Sequence, residues 1–435
     1  FQGGTQYPGL QMTGYGKSYD FQAPLSEFGL PRDSYRFLKL HHMFLNDFGA
    51  DLAQMSEVFP SHPVNDEKNT ADLRYAGRFL GDSGFVFLCN TQVRIPMPDK
   101  TFRLRISLPH GTIELPRGEM TLKGETIATI PVNLDIDGMM LKYATANPLA
   151  RLHAGGRAWV FLYRSEGMNA ELAFDAKSIR SLDAPGWKRS DSGGVVYLTC
   201  DEDEPQPVMF ESKDGKAGAI VLFSRQRALQ TWRADIWGEQ RLLVSDSELM
   251  FEDGGIEMRH PGDPAMLLDV FPPPDKELSI GGAAVKPLRQ GIFARYSFSL
   301  PPADINLEVT EKNASARDIK VPPPPQQLSD IFLDIDYSGG GAELRAGGNV
   351  VADHLSHGPD WMPGLKRFFP ASGPLELEFR ALPWKAKLAP GKTMDLSMMN
   401  TDIVGLDARL DDAYKKNIVK IVSISAVPEY RAFIK

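Results

Sequence analysis

The chain has 435 residues, more than one hydrophobic core normally holds, so two to four domains are expected. Apolar residues at 42% and charged residues at 24% are ordinary for a soluble globular protein, and no run of 18 apolar residues exists to span a membrane as a helix. A net charge of −8 without a clustered Lys/Arg stripe argues against nucleic acid, while a neutral substrate such as a sugar is indifferent to it.

Residues 1–30 are rich in Gly, Tyr and Gln without a sustained period, and read as a long loop. The start, Phe1-Gln2-Gly3-Gly4-Thr5, reads like the end of a buried strand entering a glycine turn, so the chain is expected to begin inside a domain. A helix is expected over 33–48, with Asp33 as its N-cap and Gly49 loosening or ending it. Phe37, Leu38, His41, Phe44, Leu45, Phe48 and Leu52 recur at spacings of three and four, which places them on one apolar face. The polar tract 60–70 carries two prolines and reads as a linker.

From Ala71 the period becomes two, and 39 Gly with 33 Pro supply frequent turns. Strands are expected at 84–90, 102–108, 112–115, 125–130, 139–144, 158–163 and 170–174, then at 195–199, 207–210, 218–223, 242–244 and 266–270. Such short, regularly spaced strands are the pattern of a sandwich or barrel. Residues 225–239 read as a short helix or an irregular segment. The proline runs at 272–274 and 322–325 favour extended, unpaired backbone and mark boundaries. Alternation resumes at 331–337, 375–381, 393–396 and 418–424, and Gly339-Gly340-Gly341 reads as a hairpin turn returning into 342–345.

Several residues then become recognisable together. Gly3-Gly4-Thr5-Gln6, followed by Ser18-Tyr19-Asp20-Phe21-Gln22-Ala23-Pro24-Leu25 with Glu27 and Gly29, resembles the last barrel-strand loop of family 35 glycoside hydrolases, the β-galactosidases. Further matches are Gly81-Asp82-Ser83-Gly84-Phe85-Val86-Phe87, Pro131-Val132-Asn133-Leu134-Asp135, and Asp334-Ile335-Asp336-Tyr337 with Asp353, Trp361 and Gly364-Leu365-Lys366-Arg367-Phe368. Three departures stand out: Gln6 where the family has Asn, Phe21 where many members place Tyr, and Gln22 in place of Asp. A Phe can still pack on the apolar face of a sugar but has no hydroxyl to offer.

The resemblance implies a mainly β chain: the end of a TIM barrel in 1–57, a β-domain in 58–180, a second in 181–272, a proline-rich linker with strands in 273–327, and a jelly-roll domain in 328–435. It implies a retaining exo-β-galactosidase that acts on β-galactoside oligo- or polysaccharides. Both catalytic Glu lie upstream, so no catalytic residue is expected in this chain. Tyr19 and Phe21 are the implied substrate contacts. Trp361, in a Gly/Pro-rich loop, is a candidate sugar contact. The implied partner is the missing barrel segment or chain, in an extracytoplasmic (periplasmic or secreted) location. A homo-oligomer, a non-catalytic carbohydrate-binding or scaffold protein, and an exo-glycosidase of related sugar preference remain open.

Other constellations favour ordinary roles. Asp135/Asp137, Asp334/Asp336 and Asp201–Glu204 read as exposed strand or turn carboxylates. His41-His42 and His354/His357 lack further ligands at metal spacing, so no metal and no cofactor is expected. Cys89 and Cys200 lack a C-x-x-C spacing and read as free thiols.

Overall fold

The computed structural model describes residues 23–92, 95–252, 254–355, 361–389, 392–395 and 415–435. The described residues are mainly β, 57% strand and 9% helix, in several largely antiparallel sheets. An eight-stranded sheet runs in the order Ser56–Val58, Arg74–Leu80, Ser83–Asn90, Thr126–Ile136, Met139–Ala144, Ala170–Asp175, Val195–Cys200 and Lys188–Ser192. It shares one core with a five-stranded sheet: Phe85, Leu134, Leu172 and Leu198 come from the first, and Val160, Leu162, Ile220 and Leu222 from the second. That is a sandwich arrangement.

The second sheet is buried on both faces. Phe161, Val221 and Phe223 on its other side pack with Leu242, Val244 and Phe271 of the next sheet. This explains why Ala217–Phe223 reads as an unbroken apolar run. It pairs in parallel with Arg157–Tyr163, and parallel strands are normally covered on both sides.

The helix α1 spans Asp33–Gln54. It passes Gly49 without a break, because Phe48 and Leu52 on either side are both in the core. Its N-cap is Arg32, without a side-chain cap, and not Asp33. Asp33 instead sits in the first turn, where its charge complements the helix dipole. The expected single face is also divided. Leu40, Met43, Phe44, Phe48 and Leu52 are buried against the two sheets, whereas Phe37, Leu38 and Leu45 are exposed, as is His41. The difference is about one residue's rotation of the helix, set by where the sheets stand. Asp47 fixes that rotation: its carboxylate accepts from the Arg151 backbone N–H at 2.7 Å and pairs with Arg233.

Residues 225–239 divide in two. A one-turn helix α2, Arg225–Leu229, is capped by the Ser224 hydroxyl, which accepts from Arg227 N–H. The strand Thr231–Ile236 follows and turns back into Glu239–Val244. The two turn residues, Trp237 (φ 52°) and Gly238 (φ 85°), have the positive φ that a tight hairpin demands.

The triple glycine makes no hairpin. Leu328–Ser338 pairs with the last strand, while Gly341–Ala346 pairs with Asn349–Leu355 and Leu375–Leu382, so the glycines carry the chain from one sheet to another. A Cβ on Gly339 would stand 2.6 Å from the Leu382 carbonyl oxygen, which only glycine avoids.

The last strand, Lys420–Ile434, ties the C-terminal half together. Its first part pairs with Leu328–Ser338 and its last part with Gly255–Pro261. Segments far apart in the chain therefore share a sheet, and Tyr430, Ala432 and Ile434 enter the core of Leu243, Ile256 and Leu268. On the other side Ile331, Leu333 and Ile335 pack with Leu344, Phe379 and Trp361.

Candidate functional site

A cleft of about 1080 Å³ opens where the loop before α1 meets the strands Glu248–Glu252, Gly255–Pro261, Leu328–Ser338 and Lys420–Ile434. Local chemistry shapes its first wall. The Ser26 hydroxyl accepts from the N–H of Phe28 (3.3 Å) and Leu30 (3.1 Å), and Gly29 turns with φ 84°. This loop is pinned across the cleft: Arg367 donates to Glu27 at 2.6 Å and lies over the Phe28 ring at 4.4 Å.

Behind the first turn of α1 is a second polar group. Arg36 pairs with Glu248 at 2.5 Å. Lys39 places Nζ 3.6 Å above the centre of the Trp232 ring, and that Nζ is buried without a hydrogen-bond partner. Burial depresses its pKa to about 7, against the attraction of Glu248.

The opposite wall carries two carboxyl groups. Asp330 and Glu429 are facing partners of the antiparallel pair. Asp330 Oδ1 accepts from the N–H groups of Ile331 (2.7 Å), Leu365 (3.0 Å) and Lys366 (2.7 Å), which folds the 361–368 loop onto the strand. Glu429 accepts from the Ser329 hydroxyl. Burial pushes both acids above the ordinary carboxylate range. The hydrogen bonds oppose the shift without cancelling it, and the charge of Asp330 adds to it at Glu429.

Of the site residues expected from sequence, Tyr19 and Phe21 lie outside the described residues. Trp361 lines the cleft, but only 6% of it is exposed. Its backbone bridges to Ile335 and its ring stacks on His354 at 5.3 Å, so its main work is packing. His354 shares a 2.7 Å hydrogen bond with the Tyr337 hydroxyl, and His357 lies outside the described residues. Asp135 accepts from Gly138 N–H in a turn, Asp137 pairs with His153, and Asp201 pairs with Lys188. Both cysteines are free, Cys200 buried and Cys89 half-buried. Among the described residues no group of three or more His, Cys, Asp or Glu could hold a metal ion. Asp330 and Glu429 carried no signal in the sequence. Ser329, the residue before Asp330, is 100 positions from Glu429, and only the sheet register joins them.

Comparison with known proteins adds a likeness over part of the chain. Residues 81–230 match the family described as beta-galactosidase, domain 2. This stretch of the chain is similar to the second domain of β-galactosidases. It holds most of the sandwich formed by the first two sheets, and among the described residues none of the cleft lining comes from it. Two curated relatives are similar to the chain. The probable beta-galactosidase A of Emericella nidulans is 26% identical over 239 residues, and that of Aspergillus fumigatus is 25% identical over 236. In both, the aligned stretch covers 53% of this chain but only 23% of the relative. A solved structure, the Bacteroides ovatus SGBP-B with a mixed-linkage heptasaccharide, covers 87% of this chain and all of that one at 8% identity. Its TM-score of 0.13 carries no likeness of fold.

Proposed function

We propose that this chain works in a family 35 glycoside hydrolase, an exo-acting, retaining β-galactosidase. The observation that carries this reading is the match of residues 81–230 to the second domain of β-galactosidases. The motifs around Gly3 to Leu25 and Asp334 to Phe368, which resemble that family on either side of the domain, support it. In this reading α1 closes a TIM barrel, residues 328–435 form the jelly-roll domain, and Tyr19 with Phe21 shape the galactose pocket. The two faces of α1 fit this position. One is buried on the β-sheets, while Phe37, Leu38 and Leu45 leave an apolar strip free for a second layer.

The chemistry needs two carboxyl groups about 5–5.5 Å apart, one attacking the anomeric carbon and one protonating the leaving oxygen, after which water releases the galactosyl-enzyme. Both are upstream Glu residues in this reading. A non-catalytic glycan-binding protein is the second reading, favoured by the mixed polar and apolar cleft. Hydrolysis of nitrophenyl β-galactoside separates them. A polypeptide carrying the upstream barrel should turn it over with retention, and residues 1–435 alone should not. Activity of the mass-verified 435-residue chain would overturn the upstream placement. Inactivity of the longer polypeptide would leave the binding protein.

A further inference from the structure

The cleft beside α1 has three features that together specify a ligand chemistry. The first is a pair of carboxyl groups with oxygens to spare. Asp330 spends Oδ1 on three N–H groups and Glu429 spends Oε2 on Ser329, which leaves Asp330 Oδ2 and Glu429 Oε1 without a donor among the described residues. Neither oxygen is among the buried side-chain atoms that lack a partner, so both remain reachable from the cleft although Glu429 as a whole is only 7% exposed. The second is charge balance. Four Arg or Lys and five Asp or Glu side chains line the cleft, so neither a cation nor an anion is selected overall. The third is that the half-buried rings of Phe28 and Tyr35 line the same cleft.

Hydroxyl donors, no net charge and apolar ring faces are the chemistry of a neutral carbohydrate. A volume of about 1080 Å³ exceeds most small-molecule pockets, which span roughly 300–1,000 Å³, and suits an oligosaccharide better than one sugar. We propose that this cleft binds a neutral oligosaccharide, with Asp330 Oδ2 and Glu429 Oε1 accepting from sugar hydroxyls and Phe28 and Tyr35 packing on a sugar face. Lys366, exposed at the rim with no hydrogen-bond partner for its Nζ among the described residues, donates to a further oxygen. The inference deepens the proposed galactosidase reading and rests on it only for the choice of a galactan as first probe.

The test is calorimetric titration of the 435-residue protein with β-1,4-galactotriose, cellotriose, trigalacturonate and calcium. Galactotriose should bind, and trigalacturonate should bind at least tenfold more weakly, because its carboxylates meet the two desolvated acids. Asp330→Asn keeps the three backbone bonds through its amide oxygen but turns an NH2 donor toward the cleft. It and Glu429→Gln should each weaken binding about tenfold or more. Lys366→Met, a rim change with no bearing on folding, should weaken it about threefold. Binding of cellotriose without galactotriose would uphold the carbohydrate site and count against the galactosidase reading. The proposal is overturned if neither neutral trimer binds, if calcium or trigalacturonate binds more tightly than both, or if all three variants bind like the parent.

Discussion

Asp330 and Glu429 face each other across the strands Leu328–Ser338 and Lys420–Ile434, and burial raises the pKa of both. Each acid is therefore easier to keep protonated in the folded chain than in the unfolded one. Their contribution is most favourable below the ordinary carboxylate pKa of about 4 and is lost as pH rises through the raised folded values. The double variant Asp330→Asn/Glu429→Gln should remove this part of the pH dependence. Thermal midpoints measured from pH 4 to 8 should fall less in the variant than in the parent. A steeper fall in the variant would mean that the ionised acids are stabilising.

Lys39 titrates in the opposite sense. Its folded pKa of about 7 lies below the unfolded value of about 10.4, so the folded state disfavours the proton. Stability linked to Lys39 is fully present above pH ~10.4, declines as pH falls toward 7, and is flat below. Lys39→Met should abolish that slope, a difference on the order of 2–4 kcal/mol between pH 10 and pH 6, with loss of the Trp232 contact partly offsetting the gain at low pH. Denaturant unfolding at the two pH values checks it, and parallel slopes in parent and variant would contradict it.

The two sides of α1 should differ sharply on truncation. Phe48 is fully buried between Phe44 at 5.4 Å and Phe85 at 5.7 Å, so Phe48→Ala should cost about 3–5 kcal/mol. Phe37 is 45% exposed under Arg225, and Phe37→Ala should change the stability of the isolated chain by about 0.5 kcal/mol or less. Equal losses at both positions would show that the helix is rotated from the position described.

Asp47 pairs with Arg233 beneath α1, with 5% of its side chain and 15% of the arginine's exposed. Removing one member leaves the other charge buried and unpaired. Asp47→Ala should therefore cost about 3–5 kcal/mol, while the double change with Arg233→Met should recover part of it. A double-mutant cycle of equilibrium unfolding measures the coupling, and a coupling near zero would mean that water already screens the pair.

For substrate, the prediction concerns Phe21 in the proposed galactosidase polypeptide that carries the barrel. If Phe21 walls the galactose pocket as proposed, Phe21→Ala should lower kcat/KM by the equivalent of about 1–3 kcal/mol. Phe21→Tyr should be tolerated, since the resembling family commonly carries Tyr there. A specificity constant within about twofold of the parent for the alanine variant, with the fold intact, would remove Phe21 from the pocket.

Much of the architecture was legible in the sequence because it depends on local period. The short apolar runs expected as strands at 84–90, 158–163 and 218–223 match Ser83–Asn90, Arg157–Tyr163 and Ala217–Phe223, and the three-four spacing around Phe44 and Phe48 matches α1. What a period cannot say is which neighbour an element meets. The apolar residues of α1 span more than one face, and only the position of the two sheets decided that Phe44 and Phe48 go inside while Phe37 and Leu45 stay out. The triple glycine announces a sharp turn, yet the sheet that receives Gly341–Ala346 is set by pairing with Leu375–Leu382. The cleft is the furthest from local information. Asp330 and Glu429 meet through the register of one long antiparallel pair, and a one-residue slip would turn them to opposite faces. Sequence determined the elements, because backbone and side-chain preferences act over a few residues. The tertiary structure alone decided the site, because burial and facing partners belong to pairs far apart in the chain.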